Sequence, residues 1–314
     1  MKPVCSDADF VRLFEAHGAA ETARRLRVNV RNVQKRRSIL EGRIGRQIRA
    51  PHYQNTNTRH AEDHPGRISA DIKDGVVLVG SDFHLWPGDR STAFRAFVKF
   101  CKELKPQIVV ANGDVLDFPQ VSRHPPIGHQ HLPSVEEEIE YAQEMMGDIE
   151  KAAFKARKIW TLGNHDSRFE TRLATIAPEF ARLHGFSLKN YFPEWEPCWS
   201  VWVNDCVIKH RWKGGQGATR ANALNAGKSM VTGHLHSLKV TPLTDYNGTR
   251  YGVDTGCIAD PKSRQFLDYT EDAPLDWRSG FAVLTFHRGE LLPPELVQVW
   301  DENHVTWRGQ IVKV

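Results

Sequence analysis

The chain has 314 residues, is 40% hydrophobic and 25% charged, and carries a formal net charge of +4, ordinary globular usage that excludes collagen-like, disordered and disulfide-scaffold classes. No apolar run approaches the ~20 residues of a membrane helix, and the start, MKPVCSDADF, lacks the apolar stretch of a secretory signal. Five cysteines (Cys5, Cys101, Cys198, Cys206, Cys257) are odd in number, lack metal-type spacing and read as reduced thiols of a cytoplasmic protein.

Charge is uneven. Residues 1–50 hold 12 Lys/Arg and 5 Asp/Glu, a net +7, and the remaining 264 residues are net −3. A basic head on a mildly acidic body suits a polyanionic partner. Residues 7–43 predict a small all-α module of three short helices. Phe10, Leu13 and Phe14 mark one apolar face, Ala20, Ala23, Leu26 and Val28 a second, and Val33 and Leu40 a third. His17–Gly18 punctuates the first break, and Asn29 suits the N-cap of the last helix. The stretch AAETARRLRVNVRNVQKRRSIL resembles a helix-turn-helix, with Arg27 where many such motifs carry the turn glycine. That resemblance implies that residues 1–43 bind DNA. Arg31, Asn32, Lys35 and Arg36 would then face outward, where such helices read the major groove and its phosphates. A helical hairpin for oligomer contacts is the alternative. Residues 44–74 are polar and read as a linker.

From Val76, short apolar runs alternate with helical patterns, and residues 75–314 read as one α/β domain. VVLVGSD is a strand, STAFRAFVKFCKEL a helix and QIVVANGD the next strand. A long helix opens with the capping box Ser134-x-x-Glu137 and continues through Ile139, Ala142, Met146, Ile149 and Ala153. KIWTLGNHD is a third strand, so parallel pairing follows. After Tyr191, strands rich in Trp, Val and Thr surround a helix near 218–227. KVTPLTDY and TRYGVDTG form a hairpin over Asn247–Gly248, and FAVLTFHRG and HVTWRGQIVKV are also strand-like. A second mixed sheet packed on the first is expected.

The chemistry sits at strand ends. The first strand runs into Ser81–Asp82–Phe83–His84, the second into Asn112–Gly113–Asp114 and on to Asp117, and the third into Gly163–Asn164–His165–Asp166. Lys209–His210–Arg211 and Gly233–His234–Leu235–His236 each follow a later β-type run. In open α/β sheets the carboxyl ends of the strands share one rim, where ligands bind. Oxygen and imidazole donors without thiolates suit Mn²⁺, Fe or Zn²⁺ rather than a structural zinc.

Each fragment alone is a weak signal. The ordered set D-x-H, G-D-x-x-D, G-N-H-[DE], a lone His and G-H-x-H over residues 76–260 resembles the calcineurin-like metallophosphoesterase superfamily. The resemblance implies two mixed β-sheets sandwiched between helices and two divalent cations roughly 4 Å apart. Manganese is expected first, with Fe, Zn²⁺ or Ni²⁺ as alternatives. It also implies that Asp82, His84 and His236 hold one ion and Asn164, His210 and His234 the other, bridged by Asp114. His165 would protonate the leaving oxygen, and Asp117 would pair with His165 and hold its tautomer. Asp166 is expected to be structural. Arg168 could clamp a phosphate or bridge to Glu170 or Asp166. Arg123 and His124 lie in a Pro-rich loop after Asp117 and are candidates for holding substrate. His129 and His131 of the same loop read as a solvent-exposed lid, and the glycines of 214–217 as a turn, since no Lys-Ser/Thr follows.

These readings converge on a metal-dependent phosphodiesterase or nuclease acting on DNA bound by the N-terminal module. A phosphatase or small-nucleotide phosphodiesterase is the alternative, and a non-catalytic DNA-binding regulator a remote third. The layout also resembles proteins encoded by bacteriophages and mobile elements. Protein partners are left unassigned and no membrane role is expected.

Overall fold

A computed structural model describes residues 5–46, 48, 50, 65–88, 90–123, 131–180, 183–263, 265, 266, 270, 273 and 275–314. The chain divides into two compact units, residues 1–65 and 66–314.

In the first unit, helix α1 spans Asp7–Leu26 and helix α2 Val30–Ile44. The expected first break is real: Gly18 lies inside α1 at φ 71°, ψ 179°, a conformation open to glycine, and kinks it. Arg27 adopts the left-handed conformation (φ 52°) that the missing turn glycine would have supplied, and Asn29 caps α2 by accepting from the Arg31 N–H. Phe10, Phe14, Ala23, Val33, Leu40 and Ile48 form the core. Ala20, expected inside, is exposed. Arg31, Asn32 and Lys35 are exposed as expected, but Arg36 is not outward. Its guanidinium donates to Cys5 O (2.8 Å) and Asp7 Oδ1 (2.7 Å) and lies 4.6 Å from the Phe10 ring centroid. The roughly 100° step from Lys35 to the next residue carries it from the open face to the α1 side, where Asp7 and the Phe10 ring take the place of water.

The second unit is built on two sheets. The nine-stranded sheet contains β2 (Gly75–Gly80), β3 (Ile108–Ala111), β4 (Arg157–Thr161) and β5 (Glu196–Cys198), all parallel. On the other side of β2 the sheet turns antiparallel through β11 (Gly280–His287), β13 (Glu295–Asp301), β14 (His304–Trp307) and β15 (Gln310–Lys313), with β12 (Glu290–Leu291) paired to β11. The six-stranded sheet runs β1 (Ile68–Ala70), β6 (Val201–Val203), β7 (Cys206–Ile208), β8 (Ser229–Thr232), β10 (Gly248–Asp254) and β9 (Lys239–Asp245). β1 falls within the stretch expected as linker; it pairs in parallel with β6, so the body begins at Gly66.

Val77, Val79, Ile108, Val110 and Ile159 from one sheet meet Val201, Val203, Ile208, Val231 and Val253 from the other in one buried cluster. Parallel strands buried on both faces need such continuous apolar runs. The outer face of the larger sheet is covered by α3 (Thr92–Leu104) and α4 (Val135–Ala152), through Phe94, Phe97, Phe100, Ile139, Met146 and Ile149. Burying each of these side chains contributes roughly 1.5–3 kcal/mol. The Ser134–Glu137 capping box is formed in both directions. Helix α5 (Asp166–Ile176) follows β4, and α6 (Ala218–Ala226) packs on β8, β9 and β10 of the smaller sheet. The order is helix, sheet, sheet, helix, as expected.

Candidate metal centre

The loops after β2, β3, β4, β7 and β8 supply the expected donors, and the fold brings them together. Among the described residues, Asp82, His84 and His236 form one group of possible ligand atoms and Asp114, His210 and His234 a second, the atoms of each within 4.8 Å of one another. A third joins His84, Asp117 and His165.

Asp114 and Asp82 are the anchors. Asp114 Oδ1 accepts from the His165 N–H (2.8 Å), and its Oδ2 lies 3.1 Å from His210 Nε2. Asp82 Oδ2 accepts from the His234 N–H (2.8 Å) and its Oδ1 lies 3.0 Å from His236 Nε2. His210 Nδ1 is 2.7 Å from the Asn112 carbonyl, which can only accept, so Nδ1 carries the proton and Nε2 faces the carboxylate. Asp82, His84, Asp114, His210 and His236 are buried, while His234 lies on the open side.

The backbone bends sharply to aim these groups. Asp82, His84, Asp114, His234 and His236 all have φ between 40° and 71°, a region non-glycine residues rarely visit and which clusters at functional sites. Glycines clear the space. A Cβ on Gly163 would stand 2.0 Å from Asp114 Oδ1, one on Gly233 2.6 Å from Asp82 Oδ2, and one on Gly113, at φ 82°, 2.5 Å from His210.

Three buried acids hold the loops from behind. Asp166, expected to be structural, accepts from the N–H groups of Asp114, Val115, Leu116 and Gly163 and from Trp160 Nε1, at 2.8–3.2 Å. Glu138 Oε1 accepts from Phe118 N (2.9 Å) and Asp117 N (3.2 Å), and Asp254 Oδ1 from Ser237 N, Leu238 N and Gly256 N. Burial pushes Glu138 up to about 8 and Asp254 up to about 6. Sequence reasoning missed both. The only signal was an acid inside a helix's apolar stripe and another at the end of an apolar strand.

Asp117 pairs with His165 as expected, Oδ1 to Nδ1 at 2.6 Å, but also lies 3.1 Å from His84 Nδ1. One carboxylate thus orients two imidazoles together, those of His84 and His165. Burial would lower His165, but Asp117 and Asp114 outweigh it and raise the imidazole above its ordinary range. Arg168 donates through Nη1 to Asp117 O (2.8 Å), and its Nη2 lies 3.1 Å from His165 Nε2. It sits on His165 rather than in the ion pair with Asp166 that the sequence also allowed. Arg123 and His131 are exposed. His124 and His129 lie outside the described residues. Phe266 and Trp277, unforeseen, pack against the site: the Trp277 ring is tilted 4.3 Å from His236 and the Phe266 ring meets His84 edge-on at 5.3 Å, centroid to centroid.

The donor set fits a pair of divalent cations. Asn164 Oδ1 and His236 Nδ1 are buried without hydrogen-bond partners, and an orphaned buried carbonyl oxygen among imidazoles and carboxylates is a ligand in waiting. The charges agree. Burial alone would raise Asp114, yet His210, His165 and His84 hold it well below the carboxylate range. Burial would lower His210, yet Asp114 and Asp82 push it up to about 10. The cluster calls for positive charge, which divalent ions supply while the ligands shed their protons.

Comparison with known proteins agrees with this geometry. The family model for calcineurin-like phosphoesterases matches residues 75–250. The chain is 26% identical over 257 residues to the Gene 54 protein of Mycobacterium phage L5, and 28% identical over 258 residues to that of Mycobacterium phage D29. Each alignment covers 71% of this chain and 93% of the relative. Among solved structures it is similar to a dimetal phosphatase from Danio rerio (TM-score 0.35, 8% identity, 71% of this chain and 94% of the other). Another is the nuclease MPE of Pseudomonas putida (TM-score 0.26, 11% identity, 69% and 86%). No helix among the described residues is long and apolar enough to cross a membrane. With five ligand loops gathered at one rim and a family match over more than half its length, the chain belongs to the calcineurin-like phosphoesterase family and is a dinuclear metal-dependent phosphoester hydrolase.

Proposed function

We propose that the chain is a phosphodiesterase that cuts DNA, with its N-terminal helical unit as the DNA-binding module. The observation that carries this is the surface of that unit. Arg27, Arg31 and Lys35 are exposed along the turn and α2 and, among the described residues, pair with no carboxylate. Arg24 and Arg25, by contrast, share Glu21. Free cations in a row are the electrostatic footprint of a phosphate backbone, and Asn32 lies among them for contact with base edges. The similarity to two mycobacteriophage proteins supports a phage or mobile-element origin and action in a bacterial cytoplasm.

At the reaction site Asp82, His84 and His236 would hold one cation and Asn164, His210 and His234 the other, with Asp114 between them. Manganese suits this oxygen- and imidazole-rich set, and iron, zinc or nickel are its competitors. When bound, such a pair neutralises phosphoryl oxygens and makes water nucleophilic near neutral pH. The chain's own residues do the rest. His165, its Nδ1 held by Asp117, presents Nε2 to the leaving oxygen and protonates it. Arg168 covers that Nε2, so substrate entry requires the guanidinium to turn from His165 to the phosphate, where its planar fork fits two oxygens.

The test uses the full chain with Mn²⁺ on supercoiled plasmid, single-stranded DNA, a cyclic nucleotide and a phosphopeptide. Cleavage of DNA, abolished by EDTA, is the expected result. Turnover of the phosphopeptide or cyclic nucleotide with every DNA left intact would overturn the nuclease assignment in favour of a phosphatase or small-nucleotide esterase.

A further inference from the structure

Two residues past His210, on the loop leading from β7 into α6, the indole of Trp212 is 44% exposed. Arg211 and Lys213 flank it, both exposed, and neither forms an ion pair among the described residues. Lys213 Nζ lies 5.5 Å from the Trp212 ring centroid, and Arg211 directly follows His210 in the chain. The loop is tethered at both ends. The Lys213 N–H donates to Asn222 Oδ1 (3.0 Å), and the Gln216 carbonyl accepts from Lys239 Nζ (3.0 Å). Between the tethers it faces open space, since a Cβ on Gly214 or Gly215 would meet no atom within 4 Å.

An exposed indole thus stands between two cations that pair with no carboxylate among the described residues, two positions after His210. Its composition is that of a stacking platform with an electrostatic rail: a π-face for a base and two charges for the adjoining backbone. We propose that Arg211, Trp212 and Lys213 form a subsite for the nucleotide next to the scissile phosphate. The indole stacks on an unpaired base and the cations take neighbouring phosphates, so the preferred substrate is single-stranded nucleic acid. A base inside a duplex is already stacked on its neighbours and cannot offer its face. This inference rests on the phosphodiesterase reading above.

The experiment measures KM and kcat of the full chain with Mn²⁺ on two oligonucleotides. One is an intact single strand; the other carries an abasic residue beside its one cleavable bond, all other linkages being phosphorothioate. Wild type is expected to show a KM about tenfold lower for the intact strand, the size of one base–aromatic stack. In Trp212→Ala that preference falls to about one, and Trp212→Phe restores most of it. Phe154→Ala, an exposed aromatic (72%) where α4 leads into β4 at the opposite edge of the strands, keeps the full preference. A Trp212→Ala enzyme that still prefers the intact strand tenfold, or a wild type indifferent to the missing base, overturns the subsite while leaving the nuclease assignment standing. Failure of the wild type to cut either strand, with an aryl phosphodiester still hydrolysed, overturns both.

Discussion

His165 and Asp117 show how one short contact divides labour inside the site. The 2.6 Å pair holds Nδ1 of His165 and leaves Nε2 as the nitrogen free for chemistry, while the proposed metal ligands are other side chains. His165→Ala should therefore lower kcat on a phosphodiester about 10²–10⁴-fold and leave two Mn²⁺ bound per chain by calorimetric titration; loss of metal together with turnover would remove His165 from the acid role. Glu138 acts one layer further back. Its carboxyl is held protonated up to about pH 8, against 4.5 in the unfolded chain. Between those values the folded state carries a proton that the unfolded state lacks, so stability must fall as pH rises from about 4.5 to about 8. Urea midpoints of the wild type should decline over that range, while those of Glu138→Gln, which cannot ionise, should decline less, by an amount on the order of 1–3 kcal/mol at pH 8. Parallel declines would mean that Glu138 is ionised in the native state. That Glu138 and Asp254 escaped notice in the sequence has a physical cause. Each serves backbone N–H groups brought near by folding, and Glu138 lies 20 residues from Phe118. A spacing pattern records contacts within an element, not such long-range capping.

Strands and their ends were far easier to read. Val77–Val79, Val109–Ala111 and Ile159–Thr161 are runs buried on both faces, which only a parallel sheet between two layers demands. The polar residues that interrupt each run mark where the chain leaves the sheet. Elements with weak internal pattern were missed. Ile68–Ala70 has three residues, set in a polar stretch, and Glu295–Asp301 follows Pro293–Pro294. Both exist because a neighbouring strand offers a ladder, which is a tertiary cause. The glycines between strand and ligand were legible as motif letters, but their reason is close approach. Gly163→Ala would drive a methyl to 2.0 Å from Asp114 Oδ1. We expect it to cut Mn²⁺ affinity and activity at least about 100-fold while helix and sheet content stay intact by circular dichroism. Normal metal binding in that variant would show that the β4 loop is free to shift.

On the scale of the whole chain, charge is partitioned between two units with separate cores. The basic head was visible in composition alone. That Arg36 turns toward α1 was not, because a helical wheel places it without saying which side a partner helix will take. Removing residues 1–65 should raise KM for long DNA about tenfold or more at low salt and flatten its dependence on ionic strength, since each lost phosphate contact removes about 0.9 from the logarithmic salt slope. Hydrolysis of a small aryl phosphodiester should survive in the shortened chain, whose own core and ligand loops are complete. Equal losses on both substrates would make the head a part of the catalytic fold. The central claim, that seven side chains from five loops hold two cations bridged by one carboxylate, is open to a single measurement: manganese anomalous diffraction from crystals of the full chain grown with Mn²⁺. The account predicts two anomalous peaks, both within ligating distance of Asp114, one shared with Asp82, His84 and His236 and the other with Asn164, His210 and His234. A lone peak, or two with Asp114 touching neither, would contradict it.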